Sequence, residues 1–255
     1  MSPKDVIAKL RRLLTLVVSQ PMRFDWGSKG SGRNLATVTP VAGEISYSHV
    51  DCHGVPLDRK MLDYLSKRDG FFVEVGAFDG IVQSNTKLLE DVYGWTGILI
   101  EPSESVHKRL RRNRPHAWCC QCALGSFDQN NTLITGDFEG DLMSSVGGLR
   151  RGIQSTYQTL VRSLQSILDE RNVQHVNFFS LDVEGYELNV LKGVDFNRTT
   201  FDYLLIEIYQ NSYQEVVVFL DARGYMMVGN VTNYNKITNP HWDGTHNDYL
   251  FQRRP

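Results

Sequence analysis

Short apolar runs alternate with amphipathic segments from about residue 57 to the end of the chain. Apolar runs bounded by turn residues predict buried strands, and apolar residues spaced three and four apart predict helices. Strands are predicted at 71–75, 97–100, 117–123, 176–181, 203–208, 225–228 and 248–252. Helices are predicted at 57–66, 84–93, 103–113, 155–171, 187–191 and 213–223, with a turn-rich hairpin at 132–148. This alternation favours an α/β fold with a mainly parallel sheet and helices on both faces.

The first 55 residues do not share this alternation and are predicted to be an extension of a domain that spans 56–255. Apolar residues at helical spacing between Val6 and Val18, with basic residues between them, predict an amphipathic helix at 4–18. Its apolar run is too short for a membrane span. We expect it to pack on protein, either the domain or a partner, with a membrane surface as the alternative. A stretch rich in glycine and serine at 27–32 predicts a loop or lid.

Composition and charge narrow the choice of partners. The net charge of −2 gives no overall attraction to nucleic acid, so a nucleic-acid partner is not favoured. Five of the seven residues at 108–114 are basic, which predicts the solvated face of a helix, with a polyanion site as the alternative. Three of the four cysteines crowd into 119–122 and do not form a disulfide framework. They predict reduced, buried thiols and a cytoplasmic location.

Carboxylates stand where four of the predicted strands end. Glu74 lies in the first strand, Glu101 follows the second, Asp182 and Glu184 follow the fourth, and Glu207 lies at the end of the fifth. Because parallel strands end at one edge of a sheet, we expect these acids to converge there. Their mutual repulsion must be offset by a cation, by hydroxyl partners or by raised pKa values. The pattern therefore predicts a functional site at this edge.

The loop from Gly76 to Gly80 predicts the kind of ligand. Glu101 lies about twenty residues beyond it, the spacing at which an acid commonly binds ribose hydroxyls. A dinucleotide site requires the pattern G-x-G-x-x-G, whereas Phe78 occupies the middle of this loop. The acids Glu74 and Asp79 would repel a pyrophosphate, but they suit the cationic groups of S-adenosylmethionine. The electrostatics therefore favour this methyl donor over a nicotinamide dinucleotide.

Several of these segments resemble the FkbM family of S-adenosylmethionine-dependent methyltransferases. The similarity covers roughly 70–253 and is most specific at the D-x-E-G-x-E segment, 182–187. The segments that carry it are Val73–Gly80, Ile98–Pro102, Ala123–Gly125, Phe179–Glu187, Leu191–Gly193 and Ile206–Ile208. The resemblance implies a class I methyltransferase (Rossmann-like) fold, with a seven-stranded sheet whose last strand is antiparallel. It also implies methyl transfer to a hydroxyl, often on a sugar or a secondary metabolite.

The resemblance also implies how the donor is bound. The first strand end and the glycine loop would contact the methionine end, Glu101 would hold the ribose, and Ala123 and Leu124 would lie near adenine. The residues predicted to bind the donor are Glu74, Gly76, Ala77, Phe78, Asp79, Gly80, Ser84, Asn85, Glu101, Pro102, Ala123, Leu124 and Asp182.

Four residues are predicted to be catalytic, namely Asp182, Glu184, Glu207 and His241. Asp182 is the leading candidate for the general base or a metal ligand, since the acceptor must lose a proton. An ordinary Asp pKa near 3.9 is low for this task, so Mg²⁺ on Asp182 and Glu207 would help by lowering the pKa of the alcohol. Glu184 has an alternative role in favouring the start of the next helix. His241 and the nearby His246 have pKa values better matched to a base.

Two other functions remain open on the sequence. One is a nicotinamide-dependent oxidoreductase, which the missing third glycine and the acidic loop disfavour. The other is a degenerate methyltransferase fold that serves as an interaction module, which the intact acids disfavour. For the favoured function the expected partner is a small-molecule hydroxyl acceptor such as a carbohydrate. The basic segment 108–114 would favour an RNA acceptor instead.

Overall fold

Strands and helices alternate along the chain as the apolar pattern predicts. The computed structural model describes residues 45–65, 67–138, 145–147, 157–240 and 242–255. The helices in these ranges are α1 (Leu57–Met61), α2 (Lys87–Tyr93), α3 (Glu104–Asn113), α4 (Leu164–Glu170), α5 (Glu187–Leu191) and α6 (Tyr213–Asp221). The strands are β1 (Phe71–Val75), β2 (Thr96–Ile100), β3 (Trp118–Cys120), β4 (Ala123–Leu124), β5 (Leu133–Gly136), β6 (Tyr157–Arg162), β7 (His175–Leu181), β8 (Thr200–Tyr209), β9 (Tyr225–Asn230) and β10 (His246–Arg253).

Seven of these strands form the main sheet, in the order β3-β2-β1-β7-β8-β10-β9. Neighbouring strands are parallel except for β10, which is antiparallel to both β8 and β9. The α/β fold class and the seven-stranded, mainly parallel sheet with an antiparallel last strand are thus confirmed. Strands β2, β1, β7 and β8 end at one edge of the sheet. The acids at their ends are brought together by this topology.

Two apolar cores cover the two faces of the sheet. On β1, Phe72 points into one core, which it shares with Leu89 of α2. Its neighbour Val73 points into the other core, together with Leu164 of α4 and Leu220 of α6. All five side chains are at most 1% exposed, and burying a side chain of this size contributes about 1.5–3 kcal/mol. The two-residue period of the strand therefore fixes the helices on both faces and leaves the strand ends open.

The prediction of a helix at 155–171 is wrong for the first half of this range. Residues Tyr157–Arg162 form β6, which pairs with β4 and β5 in a separate three-stranded sheet. Thr159 and Val161 are buried and alternate with exposed neighbours, which is the period of a strand. The helix begins only after Ser163, whose hydroxyl accepts a hydrogen bond from a backbone N–H of its first turn. The predicted strand at 117–123 is likewise divided, because β3 and β4 belong to different sheets.

The basic segment 108–114 is a solvated helix face only in part. Lys108 is exposed and pairs with Glu104 at 2.6 Å. Arg114 is fully buried, and its guanidinium donates to Glu90 Oε2 at 2.8 Å and to Thr86 Oγ1 at 3.1 Å. It also donates to the carbonyl oxygen of Gly80 at 3.1 Å. The last basic residue of this segment is therefore a buried clamp on the loop that follows β1.

The N-terminal predictions fall mostly outside the described ranges. The amphipathic helix at 4–18 and the loop or lid at 27–32 lie there, and so they stay predictions. The chain from Ser46 to the end forms one compact unit, so residues 46–55 belong to the same body as the sheet. No helix within the described ranges combines the length and apolar character needed to cross a membrane.

Candidate active site

A cleft of about 320 Å³ opens at the edge where β1, β2, β7 and β8 end. The predicted site residues that line it are Glu74, Gly76, Ala77, Phe78, Glu101, Pro102, Ala123, Leu124, Asp182, Glu184 and Glu207. Four others lie beside the cleft without lining it, namely Asp79, Gly80, Ser84 and Asn85. His241 lies outside the described residues. The topology therefore brings most of the predicted positions to one place.

Glu74 is buried at the end of β1, and both of its oxygens bind groups of the protein itself. Its carboxylate accepts hydrogen bonds from the Ser84 hydroxyl at 2.9 Å, the Asn85 backbone N–H at 2.7 Å and the Thr86 hydroxyl at 2.6 Å. Arg114 Nη1 lies 3.8 Å from it. Burial raises the pKa of Glu74, and Arg114 together with these hydrogen bonds opposes the shift. Glu74 therefore fixes the loop after β1, and Ser84 and Asn85 act through it.

The glycine loop offers backbone to the cleft rather than a charge. Gly76 has φ +79°, and a side chain there would collide with the carbonyl oxygen of Asp182. Ala77 and Phe78 follow it along the cleft wall. The Asp79 carboxylate turns away, because it accepts hydrogen bonds from the backbone N–H groups of residues 81 and 82 at 3.0 and 2.9 Å. Asp79 thus closes the turn that presents the loop.

Glu101 follows β2 and retains capacity to bind a ligand. One of its oxygens accepts from the Phe78 backbone N–H at 3.1 Å and the other from the Ser103 backbone N–H at 2.8 Å. Each carboxylate oxygen has a second lone pair, and Glu101 lines the cleft. Burial raises its pKa to about 7, although these two hydrogen bonds and the charge of Arg109 oppose the shift. Glu101 is therefore placed where a ribose-binding acid is expected.

One end of the cleft is apolar. It is formed by Cys122, Ala123 and Leu124 around strand β4, with Phe138 after β5 and Val146. Ala123, Phe138 and Val146 belong to one small apolar cluster. A mostly apolar wall of this kind suits a heterocyclic base. The small sheet thus supplies the side of the cleft at which adenine is predicted to bind.

The acids after β7 and on β8 form a compact cluster. Asp182, Glu184 and Glu207 each place one carboxyl oxygen within 4.8 Å of the others. Tyr209 donates its hydroxyl proton to Glu184 at 2.5 Å. Glu184 has φ +56°, a strained conformation for a non-glycine residue that surrounding contacts must hold. Glu187, at the start of α5, supplies such contacts by accepting from two backbone N–H groups of the loop at 2.9 and 3.3 Å.

The electrostatics of this cluster are unfavourable without a further partner. Burial raises the pKa of Asp182 to about 7, with Asp248 adding to the shift and His49 opposing it. Burial and the neighbouring carboxylates hold the pKa of Glu207 well above its ordinary value. His246 Nε2 lies 3.2 Å from Glu207 Oε1. Glu207 Oε2 is buried and has no hydrogen-bond partner among the described residues, so it needs a proton, a cation or a ligand donor.

His49 and Tyr234 are among the cleft-lining residues that sequence analysis missed. His49 Nε2 lies 3.2 Å from Asp248 Oδ2. Tyr234 donates its hydroxyl proton to the carbonyl oxygen of Val50, and burial raises its pKa to about 12. Neither residue belongs to a local motif. The sequence did offer one signal for His49, namely Asp248 on the last predicted strand. When that strand is antiparallel to its neighbour, Asp248 can lie beside the acid at the end of the neighbouring strand, and a histidine could pair with it.

Solved structures that are similar to this chain include proteins from three different organisms. A TehB-like SAM-dependent methyltransferase from Corynebacterium glutamicum is 8% identical, with 99% of this chain and 100% of that chain covered and a TM-score of 0.45. The fibrillarin pre-rRNA processing protein of Methanococcus jannaschii is 14% identical over 74% of this chain and 68% of that chain, with a TM-score of 0.44. Precorrin-6y C5,15-methyltransferase from Geobacter metallireducens is 12% identical over 77% and 87%, with a TM-score of 0.41. Likeness at this level says nothing about substrate.

A family model gives a more specific result. No curated protein sequence matches the chain. The model of the methyltransferase FkbM domain matches residues 74–227, which is more than half of the chain. The matched range begins at Glu74 on β1 and contains the ends of β2, β7 and β8, with Glu101, Asp182 and Glu207. The chain belongs to the FkbM family of methyltransferases, whose methyl donor is S-adenosylmethionine.

Proposed function

We propose that this methyltransferase acts on oxygen, transferring a methyl group to a hydroxyl of a sugar or a secondary-metabolite-like acceptor. The observation that carries the proposal is the cluster of Asp182, Glu184 and Glu207 beside the glycine loop. An ionised carboxylate accepts hydrogen bonds and a protonated carboxyl group also donates one, so the cluster can bind a hydroxyl-rich acceptor in either state. We therefore assign the cluster to the acceptor half of the cleft.

The remaining half of the cleft fits the donor. The loop from Gly76 to Phe78 exposes backbone, Glu101 keeps lone pairs for ribose hydroxyls, and the wall at Ala123 and Leu124 is apolar. When bound, S-adenosylmethionine supplies a methyl group on a positively charged sulfur, which needs no further activation. The chain must then align the acceptor oxygen and accept its proton.

A divalent cation, with Mg²⁺ as the first candidate, is a further part of the proposal. It is supported by Oε2 of Glu207, which has no hydrogen-bond partner among the residues that the structure describes, and by the all-oxygen set of ligand atoms, which Mg²⁺ prefers. Asp182, Glu184 and Glu207 would hold the ion, which would lower the pKa of a hydroxyl bound to it. We expect a chelator to reduce turnover and added Mg²⁺ to restore it. Turnover that is unchanged by a chelator would leave the acids to bind the acceptor directly.

Two measurements test the assignment to an O-methyltransferase. Isothermal titration should show binding of S-adenosylhomocysteine and none of NAD, which separates the proposal from a nicotinamide enzyme. Methyl transfer from labelled S-adenosylmethionine is then measured on a panel of sugars, each beside its deoxy and amino analogues. We expect the label on an oxygen and no transfer to the matching deoxy compound. Transfer to nitrogen would overturn O-methylation. A chain that binds no S-adenosylhomocysteine would instead be an interaction module.

The proposal includes a cytoplasmic location and a small-molecule partner. The location is supported by the four cysteines, all of which are free thiols, since reduced cysteines are typical of that compartment. Packing of the predicted helix at 4–18 on protein, with a membrane surface as the alternative, remains part of the same proposal. Removing residues 4–18 and comparing sedimentation with and without lipid vesicles tests this part.

A further inference from the structure

The segment from Ser46 to Asp58 is fixed at the same edge of the sheet although it lies outside the matched range 74–227. Asp58, which is 1% exposed, accepts hydrogen bonds from the Ser46 hydroxyl at 2.6 Å and the Tyr47 backbone N–H at 2.7 Å. Its own backbone N–H donates to the Ser48 hydroxyl at 2.8 Å. The Leu57 backbone N–H donates to the carbonyl oxygen of His49 at 3.0 Å. These bonds hold the residues on both sides of His49 and present its side chain to the cleft.

His49 is paired on one side and open on the other. Its Nε2 lies 3.2 Å from Oδ2 of Asp248, a residue that is 3% exposed. An ionised carboxylate only accepts, so Nε2 carries the hydrogen, and Nδ1 of the neutral ring is a proton acceptor. Nδ1 makes no hydrogen bond to any described residue, and 23% of the side chain is exposed. The side chain of His49 also lines the cleft, on the side where the acid cluster lies.

Asp248 also ties the pair to the acid cluster. On β10 it stands directly opposite Glu207 of β8 in the antiparallel register. Its backbone N–H donates to the Thr232 hydroxyl at 2.8 Å, which fixes the strand at this point. A buried carboxylate that orients an imidazole and stabilises its protonated form is a recurrent arrangement in proton-transferring sites. Here the imidazole of His49 and the carboxylate of Asp248 come from segments that are far apart in the sequence.

We propose that Nδ1 of His49 accepts the proton of the acceptor hydroxyl and that Asp248 is its positioning residue. This inference rests on the proposed O-methyltransferase function. The O–H bond of the acceptor breaks, and its proton goes to Nδ1. The acceptor oxygen forms the new C–O bond, while the electron pair of the broken C–S bond stays on sulfur as its positive charge is lost. The imidazolium returns its proton to water after product release.

His49 fits this task better than Asp182, the base that the sequence predicts. Asp182 shares its site with Glu184 and Glu207, and a carboxylate that holds a cation or the acceptor is not free to take a proton. Three carboxylates face His49, namely Asp248 on β10, Asp182 after β7 and Asp58 on α1. Burial lowers the pKa of His49, but these carboxylates outweigh it and the net pKa is raised. A raised pKa makes the neutral imidazole a stronger base toward the acceptor hydroxyl.

The first test compares His49→Gln with His53→Gln, an exposed histidine of the same segment. We expect His49→Gln to bind S-adenosylhomocysteine as the wild type does while its kcat falls about a hundredfold or more, the usual scale for a lost general base. The KM for the acceptor should change much less than kcat. His53→Gln should resemble the wild type in both. If kcat of His49→Gln stays within about threefold of wild type, His49 is not the base.

The second test addresses Asp248 through the pH profile. Wild-type kcat should rise with pH, because the neutral form of His49 is the base. In Asp248→Asn the largest cause that raises the pKa of His49 is absent, so the rising limb should move to lower pH while kcat falls. Asp248 also raises the pKa values of Asp182 and Glu207, so the limb is assigned to His49 only if it is absent from the profile of His49→Gln. An unmoved limb would remove Asp248 from the proposal.

A third measurement distinguishes a failure of the His49 proposal from a failure of the proposed O-methyltransferase function. Nitrogen-15 NMR of the imidazole rings, with the His49 signals identified by their loss in His49→Gln, reports the tautomer without any turnover. We expect hydrogen on Nε2 and a bare Nδ1 above the pKa of the ring. Hydrogen on Nδ1 would overturn the assignment of His49. Donor binding with this tautomer but without transfer to any hydroxyl compound would overturn the proposed acceptor and leave the basic nitrogen of His49 established.

Discussion

The donor half and the acceptor half of the cleft use the same kind of residue in opposite ways. In the donor half, Glu74 is buried with four protein partners around it. In the acceptor half, Glu207 is also buried, yet one of its oxygens has no partner in the described part of the chain. Glu74 uses most of its hydrogen-bonding capacity to stabilise the fold. Glu207 keeps this capacity for a proton, a cation or a ligand.

The difference shows which observation separates a structural acid from a functional one. Both acids lie in or at the end of central strands and have raised pKa values because of burial. Burial and position therefore do not distinguish them. Their hydrogen-bond partners do, because the more lone pairs a carboxylate commits to the protein, the fewer it can offer a ligand. The following predictions test this comparison, from the largest expected effect to the smallest.

The largest effect should come from breaking the clamp under the donor half. Arg114→Leu leaves Glu74 buried without a cation and leaves Glu90 with only Lys87 at 3.5 Å; breaking a buried pair of this kind typically costs about 3–5 kcal/mol. Urea unfolding should show this loss of stability. Arg112→Leu, on the exposed face of the same helix, should change the free energy of unfolding by only about 0.5 kcal/mol. Similar values for the two variants would mean that the clamp does not stabilise the fold.

In the acceptor half, the corresponding change should affect turnover instead of folding. Asp182→Asn should retain binding of S-adenosylhomocysteine while turnover falls roughly a hundredfold, because the acceptor oxygen is no longer aligned. Steady-state kinetics beside titration calorimetry separates the two effects. Exposed Asp63→Asn is the matched control and should behave as the wild type does. Unchanged turnover in Asp182→Asn would remove this residue from the mechanism.

Glu101 should make donor binding depend on pH. Its pKa is about 7 in the folded protein, so it is largely protonated below this value and ionised above it. The ionised form is the better acceptor for ribose hydroxyls, so affinity for S-adenosylhomocysteine should fall roughly tenfold as pH drops through 7. Glu101→Gln should bind more weakly at alkaline pH and show a flat profile. An equally steep profile in the variant would assign the pH dependence to another group.

The smallest effect should come from Asp79, although the family resemblance places it at the methionine end of the donor. Its carboxylate is engaged in the turn and does not line the cleft. Asp79→Ala should cost about 1 kcal/mol of stability, the usual scale for a lost hydrogen bond, with little change in donor affinity. Calorimetry with S-adenosylhomocysteine checks this. A large loss of affinity without a loss of stability would return Asp79 to the binding site.

The local sequence pattern predicted a helix or strand correctly where the element is determined by its own residues. Strand β1 and helix α5 have the predicted bounds, because an apolar run or a helical period stands next to a clear break. The convergence of the acids followed from the same pattern, since parallel strands end at one edge. The FkbM-like segments then identified the fold and the family.

Contacts between distant segments could not be predicted from local sequence patterns. Residues 157–162 carry apolar side chains compatible with either period, and only pairing with β4 and β5 makes them a strand. Arg114 is buried because Glu74 and Glu90 lie around it, and the basic run gives no sign of this. His49 has no motif at all. Its place in the cleft follows from the anchoring of 46–58 and from Asp248, about two hundred residues away in the sequence.

A crystal structure with S-adenosylhomocysteine bound would test the division of the cleft most directly. We predict that its ribose contacts Glu101, its adenine lies against Ala123 and Leu124, and its sulfur faces the space between His49 and the acids Asp182 and Glu207. A ligand bound elsewhere, or one whose sulfur points away from these acids, would contradict the proposed site and the acceptor assigned to it.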